Sequence, residues 1–137
     1  MIKITSLDHL VLTVADVEKT INFYTTVLGM EEITFGENRK ALLFGKQKIN
    51  LHQKGKEILP NAHNADCGTA DLCFLTETPL DEVYQILQSN NIEILDSGIV
   101  TRTGAVGKIE SIYCRDPDGN LLEISRYLTD SDSVAIG

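Results

Sequence analysis

The sequence predicts an α+β fold made of two successive β-α-β-β-β modules. Its 137 residues fit one compact domain, or two very small modules that share a core. A stretch beginning at Asp8, "DHLVLTVADVEKTINFYTTVLGMEEI", is echoed by "ADLCFLTETPLDEVYQILQSNNIEIL", beginning at Ala70. Aligning His9 on Asp71, a shift of 62, matches Leu10 to Leu72 and Leu12 to Phe74. The same shift sets Gly29 on Asn91, two residue types suited to the left-handed end of a helix.

Each copy reads as a strand, a helix and then further strands. The first helix is expected from Asp16, a good N-cap, with Val17, Ile21, Tyr24 and Leu28 forming one stripe. The second is expected to use Thr78 as N-cap, with Pro79 at the first helical position and Asp81 at the third. Its buried stripe would be Leu80, Val83, Ile86 and Leu87. Strand-like runs follow each helix: Met30 to Phe35, Ala41 to Phe44 and Lys48 to His52, then Ile92 to Leu95, Lys108 to Cys114 and Asn120 to Ser125. The turns "FGENRK", "GKQK" and "DPDG" separate them. The modules span residues 7–53 and 68–127 of a single domain over 1–137, and the polar segment 54–67, with Pro60, joins them. The polar tail "TDSDSVAIG" is expected to be loosely ordered.

Composition narrows the function. A net charge of −8, with no basic cluster, argues against nucleic acid and against an anionic membrane surface. The apolar runs are too short to span a membrane, and the first residues do not read as a signal peptide. Three cysteines, Cys67, Cys73 and Cys114, form no Cys-x-x-Cys pair, which suits a cytoplasmic protein with thiols used as small apolar fillers. Cys73 stands apart, because it shares a strand face with Asp71.

Glu123 raises the sharpest question. In "DPDGNLLEIS" it lies between apolar residues, with Leu122 and Ile124 on one strand face and Leu121, Glu123 and Ser125 on the other. Either that face meets water, or the carboxylate points into the inside of a curved sheet.

Together, "LDHLVLTVADVEKTINFYTTVLGM" and "DPDGNLLEIS" resemble the vicinal oxygen chelate superfamily, the group of glyoxalase I, fosfomycin-resistance proteins, extradiol dioxygenases and bleomycin-binding proteins. The "KINLHQ" strand and "RTGA" loop look most like its small glyoxalase-domain members. The resemblance implies curved mixed sheets enclosing a cavity for a divalent metal. It carries the first-strand ligand onto His9 and the last-strand ligand onto Glu123. The first-strand position of the second module, usually histidine, is Asp71 here. A further ligand from the last strand of the first module falls on Asn50 or His52, and His52 is chemically the better donor. His9, His52, Asp71 and Glu123 would suit zinc, nickel, manganese or iron.

The resemblance implies a lyase or isomerase of the glyoxalase I type, acting on a small oxygenated metabolite through an enediolate that the metal stabilises. Glu123 is the expected base, with Asp71 as its counterpart, and Arg102 and Asn50 would bind substrate. The segment "VTRTGAVGKIES", with its two glycines, would form a lid over the cavity. The alternatives are an extradiol-type dioxygenase, a metal-free drug- or toxin-binding resistance module, and fosfomycin-type thiol transfer. Relatives of this kind are commonly homodimers.

Overall fold

The structure is a computed structural model of the chain and describes residues 1–129. In chain order the elements are β1 (His9–Val14), α1 (Val17–Thr26), β2 (Glu31–Phe35), β3 (Arg39–Phe44) and β4 (Gln47–Gln53), then β5 (Asp71–Leu75), α2 (Leu80–Ser89), β6 (Val100–Thr103), β7 (Lys108–Arg115) and β8 (Leu121–Tyr127). The repeated β-α-β-β-β order is therefore present twice. The tail expectation, beyond Thr129, lies outside the described residues.

Two compact units result. Among the described residues, the first comprises 1–70 and 117–119, the second 71–116 and 120–129. Each contains an open four-stranded mixed sheet, ordered β1-β4-β3-β2 in the first and β5-β8-β7-β6 in the second. The opening strand of each unit runs parallel to its closing strand, and the remaining pairs are antiparallel.

Alternation along the strands decides which side chains meet the helix. In the first unit Leu12, Val14, Leu42, Ile49 and Leu51 are buried, together with Ile21 and Tyr24 of α1. In the second, Ile112, Cys114, Leu122 and Ile124 are buried with Leu80, Val83 and Leu87 of α2. Each such aliphatic side chain contributes about 1.5–3 kcal/mol of transfer free energy. The opposite face of each sheet is freed for polar groups.

Asp16 caps α1 as expected, its carboxylate accepting from the Lys19 amide at 3.1 Å. Gly29 (φ 68°) and Asn91 (φ 57°) both adopt the left-handed conformation after their helices. Three expectations need correction. α2 starts one residue late, with Pro79 at the N-cap and no side-chain cap, because Thr76 Oγ1 instead takes the Thr78 amide at 3.0 Å. Ile86 is 38% exposed, on the flank of the helix rather than in its buried stripe. Ile92 to Leu95 is not a strand: it ends where Asp96 turns to φ 54°, after a Leu95 amide bond to the Tyr113 carbonyl at 2.9 Å. The edge strand is β6, within the segment expected to be a lid. That segment forms a β6–β7 hairpin, closed by Gly104 N–H donating to the Gly107 carbonyl at 2.7 Å.

Candidate functional site

The polar face of the second unit follows from the register. Cys73 pairs with Glu123 across the parallel β5/β8 ladder, and Tyr113 pairs with Glu123 across β7/β8. Ser111 pairs with Ser125 in the next row. Glu123 is half-buried, and its Oε2 accepts from Ser111 Oγ at 2.6 Å and from Ser125 Oγ at 3.4 Å. The two serine hydroxyls lie 2.6 Å apart, both fully buried, and Cys73 Sγ lies 3.4 Å from Ser125 Oγ. A chain of hydroxyls thus ends on one carboxylate oxygen.

Glu123 and Cys73 line a cavity of about 530 Å³, walled also by Tyr113, Tyr127, Arg102 and the Gly104 turn, with the serine pair buried behind Glu123. The Arg102 guanidinium lies over the Tyr113 ring, 5.6 Å from its centroid, and 3.8 Å from the Asp96 carboxylate. Burial pushes the Tyr113 phenol up, with the Glu123 charge adding and the Arg102 contact opposing. Burial likewise raises the Cys73 thiol. Cys73 is exposed and opens on the cavity, so it is not the apolar filler expected; Cys114, with no exposure, is one, its thiol pushed up to about 11 by burial. Val106 N–H donates to the Tyr127 hydroxyl at 3.2 Å, which ties the hairpin tip to β8.

The first unit presents a second polar face. Along β4, Lys48, Asn50 and His52 alternate with Ile49 and Leu51, and in the ladder with β1 they stand beside His9, Val11 and Thr13. Asn50 and His52 are each 5% exposed, and Asn50 Oδ1 and both ring nitrogens of His52 are buried with no hydrogen-bond partner among the described residues. Desolvation lowers the His52 pKa, and the nearby Arg39 charge lowers it further, against a smaller opposing effect of Glu57. The ring is therefore neutral at pH 7 and keeps a lone pair for a cation or a donor. His9 is exposed and bonded through Nδ1 to Asp8 at 2.8 Å.

Each unit thus carries two of the four sequence-selected donors, His9 and His52 in the first, Asp71 and Glu123 in the second. Among the described residues no three His, Cys, Asp or Glu side chains cluster as a metal-binding group. The chemistry of the set still fits a divalent cation: His52 is a buried, neutral, unpartnered imidazole, and Asn50 beside it is equally buried, so both remain competent. Asp71 is exposed at the start of β5, on the Cys73 and Glu123 face. Sequence reasoning placed Ser125 on the Glu123 face but missed Ser111, whose proximity to Glu123 depends on the β7/β8 register.

Residues 6–124 match the family described as Glyoxalase/Bleomycin resistance protein/Dioxygenase superfamily. Virulence protein STM3117 of Salmonella typhimurium is 55% identical, over 91% of this chain and 86% of its own length. Its crystal structure superposes with a TM-score of 0.90, covering 93% of this chain and all of that one. The glyoxalase domain-containing protein RDO1 of Mycosarcoma maydis is 53% identical over 92% of this chain and 70% of its own. Metallothiol transferase FosB of Staphylococcus saprophyticus is 31% identical over 88% of this chain and 76% of its own. With its duplicated units and this match over nearly its whole length, the chain belongs to the Glyoxalase/Bleomycin resistance protein/Dioxygenase superfamily.

Proposed function

We propose that the protein is a metal-dependent lyase or isomerase of the glyoxalase I type, acting on a small oxygenated metabolite. The observation that carries this reading is Glu123: a half-buried carboxylate in a cavity wall, oriented through Oε2 by Ser111. His9, His52, Asp71 and Glu123 are the donors proposed to hold zinc, nickel, manganese or iron. When bound, such a cation supplies Lewis-acid stabilisation of negative charge on substrate oxygens.

The side chains account for the rest. Glu123 takes the proton from the carbon beside the substrate carbonyl, and the C–H bonding pair moves toward that carbonyl. Returning that proton to the former carbonyl carbon, while the hydroxyl proton shifts to the former carbonyl oxygen, completes an isomerisation in which nothing is oxidised overall. Ser111 and Ser125 fix which carboxylate oxygen faces them, so the carboxylate does not have to reorient before reaction. Asp71, on the same face, acts as counterpart in the return step. Arg102, with its side chain 44% exposed at the cavity wall, pairs with a substrate carboxylate or phosphate, and Asn50 serves as the second substrate contact. The cavity of about 530 Å³ favours a small substrate.

Similarity to FosB favours a second reading, metal-dependent thiol transfer to a small electrophile. We further propose a homodimer, read out by light scattering on the eluted peak. The deciding experiment is metal content by mass spectrometry on protein purified without chelator or affinity metal, beside Glu123→Gln and His9→Ala. Stoichiometric metal lost in both variants supports the reading. A protein that holds no metal and takes up none of the four ions overturns it. Isomerisation of a hemithioacetal without thiol consumption then separates the first reading from the second.

A further inference from the structure

The first unit's polar face holds a group of side chains that the proposed proton transfer does not use. Across the sheet, Lys48 stands between Leu43 and His9, and Asn50 between Ala41 and Val11. Phe35 pairs with Arg39 at the near end of the β2/β3 ladder, and Lys40 pairs with Leu51, which brings Arg39 alongside His52. Ala41 is small, so the Phe35 ring can extend over it toward Lys48. The result is two cations on one ring: the Arg39 guanidinium carbon lies 4.7 Å from the Phe35 centroid and Lys48 Nζ lies 4.2 Å from it.

Neither cation forms an ion pair among the described residues, in a chain whose net charge is −8. Two like charges drawn to one ring repel each other, and an anion between them removes that penalty. Beside them, Asn50 Oδ1 and both His52 ring nitrogens are buried with no partner among the described residues, although buried polar groups are almost always hydrogen-bonded. The unmet demands are specific. Arg39 and Lys48 seek acceptors; Asn50 Oδ1 seeks a donor; a neutral imidazole offers one of each.

We infer that this face of the first unit binds a small oxyanion carrying a hydroxyl group, with Arg39 and Lys48 on the charge and Asn50 and His52 on its hydrogen bonds. Hydroxycarboxylates and hydrogen phosphate share that chemistry. The inference deepens the substrate role proposed for Asn50 by naming the ligand class, and it does not require the metal.

The test uses the full chain after chelator treatment, so that loss of the metal reading leaves the result intact. Imidazole resonances are followed during titration with glycolate, with acetate and with inorganic phosphate; the chain has three histidines, and His52→Gln assigns the relevant one. The expected result is saturable binding of glycolate or phosphate that shifts the His52 signals, with acetate at least tenfold weaker than glycolate. Glycolate alone identifies a hydroxycarboxylate, phosphate alone a phosphate ligand, and each supports the inference. Arg39→Gln and Lys48→Gln each weaken binding at least tenfold. Lys40→Gln removes the same charge from a lysine already paired with Glu32 at 2.9 Å, and leaves binding within twofold. Failure of both ligands to saturate overturns the inference, as does an equal loss in Lys40→Gln. Acetate binding as tightly as glycolate overturns the hydroxyl requirement.

Discussion

Substituting Ser111 by alanine tests the claim that the serine pair orients Glu123. The hydroxyl is fully buried and donates to Glu123 Oε2 at 2.6 Å, while Ser125 reaches the same oxygen only at 3.4 Å. Hydrogen bonds to charged groups contribute about 1.5–3 kcal/mol, and half-burial of Glu123 puts this one near the lower end. The void left by one hydroxyl adds a few tenths of a kcal/mol on the scale of about 24 cal/mol per Å³. A loss of about 2 kcal/mol at pH 7 is expected, which for a domain of this size lowers Tm by roughly 5–10 °C. Urea unfolding of wild type, Ser111→Ala, Glu123→Gln and the double variant gives the pairwise coupling, expected at about 1–2 kcal/mol. Coupling below about 0.5 kcal/mol would refute the reasoning, because the carboxylate would then be held by something other than Ser111.

In metal-free protein, His52→Leu should stabilise the fold by about 1–2 kcal/mol, since it removes two buried unpartnered nitrogens; urea unfolding in chelator that shows destabilisation contradicts this. Because burial, then Arg39, depress its folded pKa below the unfolded 6.5, the unfolded chain binds the proton first as pH falls. The destabilising effect of His52 therefore grows as pH falls below 6.5 toward the folded value, and the leucine variant should lack that component of the pH profile. Gly68→Ala should cost about 3 kcal/mol or more in chemical denaturation, because Gly68 sits at φ 69° and a Cβ there would meet the Asp118 carbonyl oxygen at 2.5 Å. With a thiol reagent on native protein, Cys73 should react and Cys114 only after unfolding; Cys73→Ser removing no native reactivity contradicts the exposure described.

Much of the fold was legible because its signals are local. The duplicated pattern, the Asp16 cap and the left-handed positions Gly29 and Asn91 follow from residue type and spacing. Misreading Ile92 to Leu95 as a strand has a physical origin. That run is more apolar than Val-Thr-Arg-Thr of β6, yet an edge strand needs only one partner and one covered face. Glu123 was picked out by its neighbours in sequence, whereas Ser111, twelve residues away, was not. Its role depends on antiparallel register, and a shift of one residue would have turned it to the helix side. Strand alternation did not separate Asn50 from His52 for a related reason: it puts both on one face, and the fold buries them equally.

The turn at Pro117–Gly119 also bears on how the chain is made. It lies far along the sequence but belongs to the first unit, where the Asp118 carboxylate accepts from the Ala15 amide at 3.0 Å and its carbonyl crowds Gly68. A ribosome delivers residues in order, so the first unit cannot complete its bonding when residue 70 emerges. Ala15 waits for a partner 103 positions downstream, by which time β5, α2, β6 and β7 have already been synthesised. Maturation of the earlier half is thereby tied to translation of the later one, and an mRNA truncated between the repeats would release a polypeptide with its first unit unfinished.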